Sequence, residues 1–252
     1  MPRLSAIVIA KNEAANIADC LDSLAFCDEL VVVDGGSSDD TVALAQARGA
    51  RVVSAPDWRG YGPQKNLALS QAHGEWVLSL DADERVTPAL AAEIQSAITE
   101  AKANGYRMPR LSSFCGRDMH HSGWYPDYVL RLFRRGKARF SDDLVHERVI
   151  CEEPVGRLRE PLPHRTITSL EDTLAKVDRY STAGADMLAA SGRRVYFISG
   201  IAHGFAAFLR TYFFRAGFLD GAEGFLVAVY NAETTYYRYM KAWMKQRRGD
   251  PK

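Results

Sequence analysis

Several features are missing from this sequence, and each absence removes a class of protein. No uninterrupted run of about 20 apolar residues occurs anywhere in the chain, so no transmembrane helix is expected. The early apolar run 6–10 is short and is followed by Lys11, Asn12 and Glu13, so it does not read as a signal peptide. The same three residues stand where a nicotinamide-binding domain needs its glycine loop. The four cysteines, Cys20, Cys27, Cys115 and Cys151, contain no C-x-x-C pair. That spacing argues against a zinc site, and the scatter points to reduced thiols in a cytosolic protein. Excess charge is missing too. With 32 basic and 31 acidic residues the net charge is +1, so nothing global calls for nucleic acid or an acidic partner. No internal repeat or low-complexity tract is present.

What remains is ordinary globular material, 47% apolar and 25% charged over 252 residues, enough for one large α/β domain and a smaller appendage. Apolar runs at 4–10, 30–33, 51–54 and 76–80 read as strands. Helical spacing appears between them, through Ile17, Leu21 and Leu24, then over about 40–48 and 64–73. Thr87 with Pro88 opens a further helix whose apolar face is Leu90, Ile94, Ala97, Ile98 and Ala101. Strand and helix thus alternate through the first hundred or so residues, which predicts an α/β fold with a mostly parallel sheet and helices on both faces. From 106 to 151 short β-like pieces, 129–133 and 145–151, are separated by Gly, Pro and aromatic clusters. From Ser169 the chain turns helical, with Ser169 and Asp172 at capping-box spacing and Leu170, Leu174, Val177 and Met187 on one face. The expected organisation is a domain at 1–165 and a helical extension at 166–252.

In open parallel sheets ligands bind beyond the carboxyl ends of the strands, and two strands here run directly into acids. Asp81-Ala82-Asp83 follows one of them. Residues two apart in extended chain face the same side, so Asp81 and Asp83 are expected to converge. Converging carboxylates repel, and a divalent, oxygen-preferring ion such as Mg²⁺ or Mn²⁺ removes that conflict. The bland alternative is a solvated loop with helix-capping acids. Asp34 follows the other strand and precedes Gly35-Gly36-Ser37-Ser38-Asp39-Asp40-Thr41, where it either accepts hydrogen bonds from a nucleoside or simply forms a tight turn. Asp39 and Asp40 read as turn formers. A haloacid-type phosphatase also carries D-x-D after a strand, but it needs Thr or Val where Arg85 stands. A nucleotidyltransferase would begin with a glycine-rich basic loop, which is missing.

Four segments in order, Ile7-Val8-Ile9-Ala10-Lys11-Asn12-Glu13, the Val-Val-Asp turn 32–41, Lys65-Asn66 and Asp81-Ala82-Asp83, resemble the family 2 glycosyltransferases of the GT-A fold. Gly35 departs from that pattern, in which a second Asp or a Ser is frequent. Further on, Gly123-Trp124-Tyr125-Pro126-Asp127, Leu130-Arg131-Leu132-Phe133-Arg134, Val145-His146-Glu147, His164 and Gly217-Phe218-Leu219-Asp220-Gly221 resemble the bacterial lipopolysaccharide core β-1,4-glucosyltransferases.

The resemblance implies an inverting transfer of a hexose from a nucleoside-diphosphate sugar, UDP-glucose foremost, to a glycolipid or lipopolysaccharide-core acceptor. It implies that Ala10, Asn12, Glu13 and Asp34 hold the nucleoside. Asp81 and Asp83 would serve ribose and a Mg²⁺ or Mn²⁺ ion, with His164 as a further metal ligand. Lys65 is either a point charge for the diphosphate or an exposed helix lysine. Glu147 is the expected general base and Asp127 its rival. Trp124 and Tyr125 either stack on an acceptor sugar or pack as core aromatics. The C-terminal stretch interleaves aromatics with cations, and 238–252 holds six Lys or Arg against one Asp. That pattern fits a helix lying on anionic lipid, at the cytoplasmic face of an inner membrane, or a helix packed against protein.

Overall fold

A computed structural model describes residues 3–141 and 148–248. The chain divides into two compact units, Met1–Arg110 with Asp127–His164, and Leu111–Pro126 with Arg165–Lys252. The expected break at 165 lies beside the observed one. The difference is that Leu111–Pro126 joins the second unit.

The first unit opens with β1 (Leu4–Ala10), α1 (Ile17–Asp22), β2 (Glu29–Asp34), α2 (Thr41–Gln46) and β3 (Arg51–Ser54). It continues with α3 (Tyr61–Gln71), β4 (Trp76–Asp81), α4 (Pro88–Glu100) and β5 (Gly105–Phe114), the last running on into the second unit. After β6 (Arg117–Asp118) in the second unit, the first resumes with β7 (Asp127–Arg134), β8 (Ala138–Phe140), β9 (Val149–Cys151), β10 (Val155–Arg157) and β11 (Leu162–Ile167).

Among the described residues one nine-stranded sheet has the order β10-β5-β7-β4-β1-β2-β3, with β6 and β11 also paired to β5. Strands β4, β1, β2 and β3 are mutually parallel, whereas β7 is antiparallel to both β4 and β5. Strand alternation explains the two-sided core. On β1, Leu4, Ala6, Val8 and Ala10 join Trp76, Leu78 and Leu80 of β4 against Ile17 and Leu21 of α1 and Leu90 and Ile94 of α4. Ile7, Val31, Val33 and Val77 face the other way, toward Ala68 of α3 and Phe133 and Phe140. Helices therefore cover both faces, as the alternation of elements predicts. The sequence reading places no strand at β5, because Arg107 and Arg110 punctuate its apolar pattern; it pairs with β7 through a register shift between Tyr106 and Arg107.

In the second unit α5 (Leu170–Ala190), α6 (Phe197–Leu209), a π-helical turn Arg210–Phe214, a 3₁₀ turn Gly217–Asp220 and α7 (Gly221–Arg248) follow in order. Ser169 caps α5 by accepting from the Asp172 backbone N–H at 3.1 Å. The buried face of α5 is Thr173, Val177, Ser181 and Ala185, whereas Leu170, Leu174 and Met187 are exposed. This corrects the face read from the sequence. Small side chains at four-residue spacing let α5 approach α7 closely, and that contact outweighs the larger aliphatics.

Leu78 is fully buried in the central strand. Leu78→Ala should lower the unfolding free energy by about 2–5 kcal/mol in urea titration, through lost transfer energy and the cavity left behind.

Candidate active site

The carboxyl ends of β1, β2 and β4 lie side by side, because Ala10 is in register with Asp34 and Ile9 with Asp81. Three loops therefore meet at one edge of the sheet. Asn12, with a positive φ of 57°, turns the first loop back toward the second. Its backbone N–H donates to Ser37 Oγ at 2.9 Å, and its Oδ1 accepts from the Ser38 N–H at 2.8 Å. The Glu13 N–H donates to Thr41 Oγ1 at 2.8 Å, and the Ala14 N–H to Asp39 Oδ2 at 3.1 Å. Asp39 and Thr41 thus lock two loops together, in keeping with a turn-forming role for Asp39.

Asp34 is buried, and its carboxylate accepts from the Gly36 N–H at 3.0 Å, the Ser37 N–H at 3.1 Å and Ser37 Oγ at 2.5 Å. Its present bonds organise its own turn. Beside it a cavity of about 440 Å³ is lined by Ala10, Lys11, Asn12, Glu13, Trp58 and Tyr61. Trp58 and Tyr61 are half exposed and meet edge to face at 5.0 Å. Sequence reading passed over this aromatic pair. Its signal was Asp57-Trp58-Arg59-Gly60-Tyr61, two large aromatics flanking a glycine between a strand and a helix.

Among the described residues Asp81 and Asp83 have different partners. The strand ends at Asp81 and the chain turns through Ala82 and Asp83, closed by the Glu84 N–H donating to the Asp81 carbonyl at 3.0 Å. The rule that residues two apart face one side holds only in extended chain, so the expected convergence fails here. Asp81 meets Lys65 Nζ at 2.7 Å and Arg131 Nη2. Arg131 also binds Glu84 Oε1 at 2.6 Å, and Glu84 Oε2 accepts from the Asp81 N–H at 3.0 Å. Burial works to raise the Asp81 carboxyl, but Arg131 and then Lys65 hold it well below the usual carboxylate range. Burial also raises Glu84, only partly countered by Arg131. Lys65 is 2% exposed, so it is not the exposed helix lysine that the sequence allowed. It is the buried cation of Asp81, because α3 turns it inward toward the Phe140 ring at 5.8 Å.

Asp83 pairs instead with His164, Oδ2 to Nε2, at 3.2 Å. The segment carrying His164 is held there by a bridge to Glu84 and by the Arg85 N–H donating to the Pro163 carbonyl at 3.0 Å. The Arg85 guanidinium donates to the carbonyls of Ala82, Glu84 and Asn16, tying this turn to the start of α1. Glu13 lies close enough to Asp83 to feel its charge. Its carboxyl is raised chiefly by burial, and Asp83 adds to that rise. A carboxylate and an imidazole form a donor set that Mg²⁺ or Mn²⁺ accepts when phosphate oxygens complete the shell. Among the described residues no group of three or more His, Cys, Asp or Glu side chains is arranged to hold a metal. The Cys20 thiol donates to the Asp81 carbonyl at 3.7 Å, but burial pushes it up to about 12, which rules it out as a thiolate nucleophile near pH 7.

A second cavity of about 570 Å³ lies past Lys65 and Asp81, with Arg107, Arg110, Tyr128 and Arg131 on its walls. Asp127 borders this region, and its Oδ2 accepts from Arg110 Nη2 at 2.6 Å and Nε at 3.1 Å. Glu147, with His146, lies outside the described residues. In the second unit, Trp124 packs with Phe114, Met119, Ile167 and Val227, and Tyr125 meets the His120 ring at 5.7 Å. Buried Asp220, from the Gly217–Asp220 turn, accepts from the His120 and His121 backbone N–H groups and from Ser122 Oγ. This motif therefore pins the loop that carries Trp124 and Tyr125.

The Asp81 network makes a pH prediction. A carboxylate with a depressed folded pKa contributes stability that is present above the ordinary Asp value of about 4 and is lost as pH falls toward the folded value. Asp81→Asn removes that contribution. The stability gap between native protein and Asp81→Asn, read by urea unfolding, should be widest near neutrality and shrink below about pH 4. An unchanged gap in acid would contradict the assigned charge state.

The comparisons with known proteins fit this arrangement. Residues 5–157 match the model of glycosyl transferase family 2. The chain is 34% identical over 255 aligned residues to the lipopolysaccharide core biosynthesis glycosyltransferase LpsC of Rhizobium meliloti, covering 96% of this chain and 92% of that one. It is 30% identical to a glycosyltransferase of Rickettsia felis, covering 96% of this chain and 89% of that one. In fold it is similar to S. aureus TarS 1-349 in complex with UDP-GlcNAc, with a TM-score of 0.52 and 16% identity over 98% of this chain and 92% of that one. A GT-A-type sheet with its acids at the strand ends, a family match over more than half of the chain and a near full-length relative agree: the chain belongs to glycosyl transferase family 2 and is a glycosyltransferase.

Proposed function

We propose that this enzyme transfers a hexose, glucose from UDP-glucose in the first instance, to a glycolipid or lipopolysaccharide-core acceptor with inversion at the anomeric carbon. The observation that carries the reading is the Asp83–His164 pair at the carboxyl end of β4, next to a cavity of nucleoside size. Lipopolysaccharide core work in the relative LpsC supports the acceptor class.

Each part of the chain has a task in this reading. Trp58 or Tyr61 offers a face on which a uracil ring stacks, and the backbone of Ala10–Glu13 offers edge contacts. Asp34 fixes the turn that shapes this wall. Asp83 and His164 would hold Mg²⁺ or Mn²⁺, which supplies Lewis-acid stabilisation of the departing diphosphate. Lys65 and Arg131 hold Asp81 ionised and fixed, so it presents a rigid acceptor to a ribose or sugar hydroxyl rather than ligating the metal. The acceptor enters the second cavity, and Glu147 takes the proton of its attacking hydroxyl. The rival base, Asp127, already accepts two hydrogen bonds from Arg110.

Binding and turnover test this separately. UDP with Mn²⁺ should raise the melting temperature, and EDTA should remove the shift. A roughly 100-fold excess over Kd corresponds to about 2.7 kcal/mol. Asp83→Ala should abolish the metal-dependent part. Trp58→Ala should weaken UDP about tenfold, as expected for a lost stacking partner. Glu147→Gln should leave the UDP shift intact and cut transfer at least about 100-fold. A UDP shift indifferent to metal and to Asp83 would overturn the donor-site assignment. Near-normal transfer by Glu147→Gln would overturn the base.

A further inference from the structure

Helix α6 is turned inside out relative to an ordinary soluble helix. Its buried residues are Gly200, Gly204 and Ala207, while Phe197, Ile198, Ile201 and Phe205 point outward. The outward residues follow one helical face. Ile198 is 65% exposed and Phe205 64%. The inward glycines explain the orientation. A Cβ at Gly204 would lie 3.1 Å from Tyr236 Cβ and 3.2 Å from the Ala232 carbonyl oxygen, so only the glycine edge lets α6 sit this close to α7. The turns after α6 extend the apolar surface. Phe213 and Phe214 come from the π-helical turn, Phe214 being 84% exposed, and Phe218 and Leu219 from the 3₁₀ turn. An exposed apolar surface of this breadth marks an interaction site.

The charges bordering it have one sign. Arg193 and Arg194 precede α6, Arg210 and Arg215 follow it, and all four are exposed. No Asp or Glu occurs from 187 to 219. The flanking acids are both engaged: Asp186 pairs with Lys245, and Asp220 is buried in its loop contacts. A second copy docked on this face would bring arginines against arginines. An anionic surface with an apolar interior satisfies both features together. None of the described helices is long and apolar enough to cross a membrane.

We infer that α6 and the two turns after it dock the enzyme on an anionic phospholipid bilayer, with α6 lying in the interface plane and its phenylalanines among the acyl chains. The inference narrows the membrane reading made from the sequence, which spanned 196–244, to α6 and the turns after it. Most of the α7 aromatics lie between α5 and α6 and are half-buried, so the lipid-facing surface belongs to α6. It does not depend on the identity of donor or acceptor, and its test reads binding rather than turnover.

The test is flotation of the full chain with vesicles of phosphatidylethanolamine and phosphatidylglycerol, against vesicles of phosphatidylcholine alone. The native protein should float with the anionic vesicles, bind the neutral ones weakly and be released by salt. The double variants Phe205→Ser with Phe214→Ser, and Arg194→Gln with Arg210→Gln, should each bind at least about tenfold more weakly. All four substituted side chains are exposed, so their replacement leaves the core untouched, and an unchanged circular dichroism melt verifies folding. Native protein that stays off anionic vesicles at low salt would overturn the inference. So would phenylalanine variants that bind as tightly as native protein. Sedimentation velocity without lipid reads the other occupant: a native dimer that the phenylalanine variant dissociates would assign the face to a second copy instead.

Discussion

Four ionisable side chains meet below the carboxyl end of the central strand, and the site is built around their mutual neutralisation. Lys65, Asp81, Glu84 and Arg131 come from a helix, a strand end, a turn and a neighbouring antiparallel strand. Three of them are almost wholly buried. Two carboxylates buried alone would repel and take up protons. With two cations interleaved, Asp81 stays ionised while Glu84 is raised. Arg131 comes from β7, which runs antiparallel beside β4, and it reaches both acids. The arrangement also fixes where the turn after β4 points, and hence where Asp83 and His164 meet.

The neighbouring loops are held together by hydrogen bonds rather than ion pairs. Asn12, Ser37, Ser38, Asp39 and Thr41 exchange hydrogen bonds across the ends of β1 and β2, which leaves the loop backbone satisfied and the cavity wall formed before a ligand arrives. Such preorganisation suits a transferase, because reorganising polar loops around a substrate would consume binding energy wanted in the transition state. The second unit follows a different logic. Glycine and alanine stripes bring its helices together, and the large apolar side chains are displaced to the outside of α6.

The sequence by itself determined the alternation of elements, the mostly parallel sheet and the strand-end position of Asp34, Asp81 and Asp83. Each of these follows from period, order and motif spacing, which are properties of a linear chain. What tertiary structure decided is how the side chains share partners. Asp81 and Asp83 looked equivalent two residues apart, yet a turn between them sends one to Lys65 and Arg131 and the other to His164. Lys65 reads as either a charge for a diphosphate or an exposed helix lysine, because helical spacing does not say which face a neighbouring strand will cover. Trp58 and Tyr61 carried no motif, and only the folded loop brings them to the cavity. On α5, hydrophobicity pointed to the wrong inner face, because close helix packing rewards small residues and a sequence pattern cannot weigh that contact against burial of larger ones.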